Sequence, residues 1–230
     1  MYQGKSIIGI VPARGGSKGL PRKNILPLLG KPLVAWTIEE AKKSKYIDRL
    51  ILSSEDDEII SVAHTWGCEV PFVRPIELAK DDTPGIEPVL HALNTLQEKY
   101  DYVVLLQPTS PLRQVDDIDV AIQKCINSNA PGCVTVSEPD KSPYWMYSLD
   151  NLYHLNPLID TGKNTTHRRQ ELPKSYALNG AVYVSKTKWI EKNREFISSE
   201  TIAHIMPKER SYDIDTELDF KICEFLLRSK

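Results

Sequence analysis

Residues 7–24 read IIGIVPARGGSKGLPRKN. The stretch opens with an apolar run, Ile7 to Val11, stopped by Pro12, which predicts a buried strand. Between Ala13 and Lys23 stand four cations, Arg14, Lys18, Arg22 and Lys23, and no acid. Gly15, Gly16 and Gly19 lie among them, and glycine can take positive φ and turn its N–H groups toward an anion. A basic, glycine-rich loop leaving a buried strand is expected to hold a polyphosphate through charge-assisted hydrogen bonds. A single Arg or Lys here would read as a solvated connection; four cations with three glycines and two prolines do not. The loop matches neither G-x-G-x-x-G nor G-x-x-x-x-G-K-[ST], so dinucleotide and P-loop motifs are excluded.

Around this stretch the chain is ordinary. Its 230 residues suit one α/β domain, and 41% hydrophobic with 26% charged residues is typical of a globular protein. Net charge is −2, so the basic loop is a local feature and a general nucleic-acid binder is not expected. Cys68, Cys125, Cys133 and Cys223 lack C-x-x-C spacing, and the five histidines are dispersed. That argues against zinc and disulfides and for a reducing cytoplasm. The N-terminal apolar run is too short for a signal peptide, and no segment approaches membrane-span length.

Further along, strands and helices alternate. Helices are expected from Pro32 to about Lys43, after Ser54-x-x-Asp57 (a capping-box spacing), from Glu87 to Lys99, and from Thr216 to Arg228. Strands are expected at Arg49 to Ser53, Glu69 to Val73, Tyr102 to Leu106, Cys133 to Ser137, Asn179 to Ser185 and Thr201 to Met206. Asp116 and Asp117 suit the first turn of a helix, at the positive end of its dipole. The alternation implies a doubly wound, mostly parallel α/β sheet. In such a sheet the loops 12–24, 107–113 and 207–215 should converge at the carboxyl ends of the strands. Residues 138–178 break the pattern with prolines and the aromatics Tyr144, Trp145, Tyr147 and Tyr153. Such a stretch either packs on its own domain or forms an interface.

Asp213 and Asp215 precede the last helix. In extended chain, residues i and i+2 face the same side, so both carboxylates can reach one cation. Mg²⁺ takes one or two carboxylates with substrate phosphates and water. Asp215 or Thr216 can equally cap the helix, with Asp219 completing the box.

The block ARGGSKGLPRKN closely resembles the nucleotide loop of the acylneuraminate cytidylyltransferases, the CMP-sialic acid synthetases. The resemblance extends, in family order, through VRPIELAKDD (73–82), LLQPTSPLR (105–113), RQELP…NGAVY (169–183) and DIDTELDF (213–220). It implies a Rossmann-like nucleotidyltransferase core over 1–137 and 179–230, with 138–178 as a dimerisation arm. It also implies CTP and an acidic nine-carbon sugar as substrates, Mg²⁺ as cofactor, and a homodimer without nucleic-acid or membrane partners. The expected chemistry is in-line attack of the sugar hydroxyl on the α-phosphorus of CTP. Arg14, Lys18 and Lys23 are assigned to the triphosphate, with Gly15 and Ser17 in the same loop. Asp213 and Asp215 are assigned to the metal; with Arg14 and Lys23 they form the expected catalytic set. The resemblance places Asn24 and Arg74 on the nucleotide side and Gln107, Arg169 and Asn179 near the sugar. A planar guanidinium at 169 suits a carboxylate.

Rivals are a cytidylyltransferase for another acid sugar such as Kdo, and a non-catalytic nucleotide-binding domain; retention of the cations and both aspartates speaks against the latter. At 176–180 the chain reads Tyr-Ala-Leu-Asn-Gly, where some bacterial sialic acid synthetases it resembles carry an arginine and a proline at positions 177 and 178. Apolar contact from Ala177 and Leu178 would suit a deoxy, acylated acid of the legionaminic kind, whereas replacement of the arginine by another donor such as Arg168 would leave specificity unchanged.

Overall fold

The apolar run expected at the start of the chain is a strand, β1 (Ile7–Pro12), buried on both faces. The computed structural model describes residues 1–160 and 168–229. After β1 come a two-residue hairpin, β2 (Pro27–Leu28) and β3 (Lys31–Pro32), then α1 (Leu33–Lys42), β4 (Arg49–Ser53), α2 (Asp57–Thr65), α3 (Glu87–Thr95), β5 (Tyr102–Leu105) and α4 (Val115–Asn127). The second half carries β6 (Gly132–Ser137), β7 (Tyr147–Leu149), β8 (Leu155–Pro157), β9 (Ala177–Lys186), α5 (Thr187–Asn193), β10 (Ile202–Ile205) and α6 (Glu217–Arg228).

Six strands form the main sheet in the order β10-β6-β9-β5-β1-β4. All run parallel except β9, which is antiparallel to both of its neighbours. Ile7 and Val11 pack with α1, α2 and α4 on one face, while Ile8 and Ile10 pack with α3 and α5 on the other. This is the period-2 division of a strand buried on both sides, and the doubly wound architecture the alternation predicts. A third cluster seats α6 beside the start of α1 through Leu28, Leu33, Leu112, Ile214 and Cys223. From β1 the chain steps outward to β4, then crosses back to β5 on the other side. The direction of winding therefore reverses at β1, and a crevice opens at the carboxyl ends of β1 and β5.

Several local expectations need correction. Glu69 makes only an isolated bridge to Ile51, so the expected strand over 69–73 does not form. The third helix ends at Thr95, well before Lys99. The N-cap of α2 is Asp56, whose carboxylate accepts from the Ile59 N–H, while Ser54 Oγ accepts from the Asp56 N–H instead of closing a box with Asp57. At α6 the box is the expected one, Thr216 with Asp219. Gly15, Gly16 and Gly19 do not adopt positive φ; the left-handed residue of the loop is Arg22. Gly15 and Gly19 are needed for close approach, since a Cβ would strike the Asp56 carboxylate at one and the Asp215 carbonyl oxygen at the other.

Candidate active site

At the β1–β5 crevice lies a cleft of about 440 Å³. The loop after β1 supplies Arg14, Ser17, Lys18, Gly19, Lys23 and Asn24, and the segment before α3 supplies Arg74, Lys80, Asp81 and Thr83. The loop after β5 supplies Gln107, Pro108 and Thr109, and the turn into α6 supplies Asp213 and Asp215. The three loops expected to converge do so.

Each wall is held by identifiable bonds. Asn24 is buried and donates to the Arg14 carbonyl (2.9 Å), fixing the start of the basic loop. Arg22 points away from the cleft and pairs with Asp56 and Glu58 at the head of α2. The Gly15 N–H, expected to face an anion, donates to Glu55 Oε1 (2.7 Å). Arg74 is 3% exposed and pairs with Glu55 Oε2 at 2.6 Å, so it is a buried wall residue of the cleft.

The loop after β5 is anchored by Arg113. Its guanidinium is fully buried and donates to the carbonyls of Gln107 (3.2 Å) and Ala181 (2.6 Å) and to Thr37 Oγ1 (2.6 Å). These acceptors are neutral, and burial lowers the Arg113 pKa to about 10. Gly180 has φ 72°, and a Cβ there would stand 2.7 Å from Gln107 Oε1. Only glycine therefore lets the Gln107 side chain sit where it does.

Arg14 and Lys18 in the cleft wall already share an acidic partner. Asp81 meets Arg14 at 2.8 Å and Lys18 at 3.0 Å, and Lys18 foremost, then Arg14, holds its carboxyl below the usual range. Lys23 donates to the Ile214 carbonyl (2.5 Å) and to Asp215 Oδ1 (3.1 Å). Asp213 is the unusual acid. Burial pushes its carboxyl up against a hydrogen bond from Thr109, and the charge on Asp215 pushes the same way. Its Oδ1 is buried without a hydrogen-bond partner. A buried carboxylate oxygen left open beside a second carboxylate is a donor set that suits a hard cation. Among the described residues no group of three or more His, Cys, Asp or Glu gathers, so a cation here would need substrate oxygens to complete its shell.

Of the residues singled out in the sequence, Arg14, Ser17, Lys18, Lys23, Asn24, Arg74, Gln107, Asp213 and Asp215 line this one cleft. Asn179 does not line it. It is buried behind the wall, accepting from Thr135 Oγ1 (2.7 Å) and donating to Ser211 Oγ (3.0 Å). Arg169 falls in a short 3₁₀ turn, Arg169–Glu171, and its side chain lies outside the described residues. Sequence reasoning missed Glu55, Asp81 and Thr109. The acids Glu55 and Asp56 just past β4, next to a basic loop leaving the adjacent strand, were the available signal for Glu55. A second cavity of about 210 Å³ adjoins Asp213 and is lined by Ser137, Glu138, Pro139, Lys208 and Tyr212. It leads toward the root of 138–178, where β7 and β8 form an antiparallel hairpin.

Comparisons with known proteins bear on the family and the fold. A family model described as cytidylyltransferase matches residues 8–221. The chain is 35% identical over 228 residues to a pseudaminic acid cytidylyltransferase of Campylobacter jejuni, covering 95% of each. It is 34% identical over 226 residues to a CMP-N,N'-diacetyllegionaminic acid synthase of Legionella pneumophila, covering 96% of each. It is also 32% identical over 237 residues to an N-acylneuraminate cytidylyltransferase of Escherichia coli, covering 97% of this chain and 52% of that protein. Among solved structures, a CMP:2-keto-3-deoxy-manno-octonic acid synthetase complexed with CTP superposes with a TM-score of 0.72 at 15% identity, over 97% of this chain and 99% of that one. A 4-diphosphocytidyl-2C-methyl-D-erythritol synthase from Anaerococcus prevotii gives 0.70 at 14% identity, over 98% and 100%. The structural likeness speaks for the fold, and the sequence matches, spanning the cleft from the basic loop to the paired aspartates, place the chain in the cytidylyltransferase family.

Proposed function

We propose that this enzyme transfers CMP from CTP to the anomeric hydroxyl of a nine-carbon nonulosonic acid and releases pyrophosphate. The observation that carries the reading is the cleft itself, with a cationic wall at Arg14, Lys18 and Lys23 facing a carboxylate pair at Asp213 and Asp215. In the reaction the sugar oxygen bonds to the α-phosphorus and the bond from that phosphorus to the β-phosphate oxygen breaks. The hydroxyl proton passes to solvent water, and the pyrophosphate leaves with the bonding electron pair and its negative charge. Arg14 and Lys18, released from Asp81, would neutralise the β- and γ-phosphates, so catalysis rests on positioning and preorganised charge. Arg74 and Asn24 define the nucleoside end. Mg²⁺, held by Asp213 and Asp215, would supply charge neutralisation on the phosphates when bound.

For the acid, we favour a diacylamino, deoxy sugar over N-acetylneuraminate, because the exposed start of β9 carries Ala177 and Leu178 and no charged donor. Two of the relatives above bear the names of such acids. We also place residues 138–178 at a homodimer contact. Trp145, Tyr147, Leu149, Leu152, Tyr153 and Leu155 of this segment are exposed, the kind of apolar surface that marks an interface. Buried free thiols at Cys68, Cys125, Cys133 and Cys223 fit a reducing cytoplasm; among the described residues no helix is long and apolar enough to cross a membrane.

The test is pyrophosphate release with CTP and, in parallel, pseudaminic, N,N'-diacetyllegionaminic and N-acetylneuraminic acids. Turnover with CTP and at least one diacylamino acid is expected. Preference for UTP or ATP would overturn the base assignment, turnover surviving EDTA the metal, and a clear preference for N-acetylneuraminate the sugar.

A further inference from the structure

Glu55 reaches no part of the cleft, yet both of its oxygens are committed to residues that build it. It lies just past the end of β4, the edge strand beside β1. Oε1 accepts the Gly15 N–H at 2.7 Å and Oε2 accepts Arg74 Nη2 at 2.6 Å. The same Nη2 donates to the Ala13 carbonyl (3.2 Å), and the Arg74 N–H donates to the Ser54 carbonyl (2.8 Å). One carboxylate, 9% exposed, thus ties the main chain of the basic loop to the Arg74 guanidinium packed against it in the cleft wall. The Arg74 Nε–H is buried without a partner, so Glu55 leaves part of this buried arginine's donor capacity unused.

We infer that Glu55 is a positioning residue for CTP: it holds the basic loop and Arg74 in one rigid relation, so that the nucleotide meets both in a single fixed arrangement. The inference rests on reading this cleft as the CTP site. A carboxylate is needed because it accepts at both oxygens. A glutamine accepts at one and offers hydrogens at the other, so one of the two donors, Gly15 N–H or Arg74 Nη2, would face another donor. The shape is kept and the coupling lost.

The experiment measures CTP dissociation constants, steady-state KM for both substrates and melting temperatures of E55Q, R74M, the double variant and R14A. E55Q is expected to weaken CTP by about 10-fold, the scale of one lost charged hydrogen bond, with the KM for the acid sugar within about twofold. In the R74M background the same change should add less than about threefold, since residues in one network do not act additively. If E55Q does not purify folded, E55D carries the test: it keeps the charge but is one methylene too short to span both donors, and the same loss of CTP affinity is expected. Unchanged CTP affinity in E55Q, an equal rise in both KM values, or a full second loss on top of R74M would each overturn the positioning role. R14A separates the two levels. If R14A also leaves CTP binding intact, the cleft is not the nucleotide site; if R14A weakens CTP and E55Q does not, only the role of Glu55 fails.

Discussion

Lys23 Nζ stands 3.1 Å from Asp215 Oδ1 and 2.5 Å from the Ile214 carbonyl, joining the basic loop to the carboxylate pair across 192 residues of sequence. The ammonium is thus the clamp that holds the 213–215 turn against the cleft, and on the proposed reading it is also a cation for the phosphates. Lys23→Ala removes both effects. It should lower kcat by about 10²-fold, since a preorganised charge contact in a site is worth about 3 kcal/mol. Pyrophosphate release at saturating substrates checks it, and a near-parental rate in a folded protein would remove Lys23 from the machinery.

Asp81 makes a contrary demand. It occupies Arg14 and Lys18, and a triphosphate arriving there must displace it. Ion pairs this exposed are individually weak. Asp81→Asn should therefore tighten CTP only modestly, by about threefold. Inorganic pyrophosphate should inhibit more strongly in the same variant. A weaker CTP affinity would mean that Asp81 assists the nucleotide instead of competing with it.

Asp213 is stabilised poorly in its charged form. Its carboxyl is raised chiefly by burial, and its Oδ1 has no partner. A carboxyl raised in the native state is still protonated where the unfolded chain has already lost its proton. Stability therefore falls as pH rises through that window and stays lowered above it. At pH 7 Asp213→Asn removes this penalty, so its melting temperature should equal or exceed the parent's while kcat falls by about 10²-fold or more. Thermal shift and turnover measured on one preparation decide it; a lower melting temperature would show that the charge supports the fold.

The sequence made the strands legible because β1 and β5 are continuous apolar runs buried on both faces, a pattern that depends on composition alone. The convergence of three loops followed from the topology that alternation imposes. What stayed hidden was partner choice. Nothing near Asp81 says that it folds back on Arg14 and Lys18, and nothing near Lys23 names Asp215. At Gly15 the physical constraint differs from the expected one: a Cβ there would strike the Asp56 carboxylate, and φ is not positive. Asn179 was brought into the sugar site by resemblance, but its amide is spent inside the wall on Thr135 and Ser211.

A second buried acid, Asp117, supports the turn from the other side. It pairs with Arg210 at 2.7 Å, lies 3.6 Å from His204, and closes the capping box of α4 with Gln114. Burial pushes its carboxyl up, but hydrogen bonds from His204, the Gln114 main chain and Arg210 outweigh this and hold it below the usual range. A carboxyl held low contributes stability fully above its unfolded value near pH 4 and loses it as pH falls through its native value. Asp117→Asn should therefore destabilise the protein by about 2–3 kcal/mol at pH 7. The gap to the parent should close as pH falls below about 4. Denaturant melts across pH test this, and a gap independent of pH would assign the loss to packing.

The last expectation concerns assembly. Hairpin β7–β8 and the turn between its strands present Tyr147, Leu149, Leu152, Tyr153 and Leu155 to solvent, with Tyr153 81% exposed. Burying one such side chain is worth about 1.5–3 kcal/mol, so a symmetric contact counts each of them twice and readily outweighs the entropy of association. Glu138, Pro139 and Asp140, at the start of the same segment, line the cavity beside Asp213, where on the proposed reading a second protomer would border the sugar. Leu152→Ser with Tyr153→Ser should convert a micromolar dimer to monomer in sedimentation. It should also raise the KM for the acid sugar while leaving the CTP dissociation constant unchanged, because the walls proposed for the nucleotide come from the loops after β1 and β5, the segment before α3 and the turn into α6. A parent that sediments as a monomer at these concentrations would refute the interface. A variant that stays dimeric would move it elsewhere on the surface. A monomer with an unaltered sugar KM would separate the interface from the pocket, leaving 138–178 as an assembly element alone.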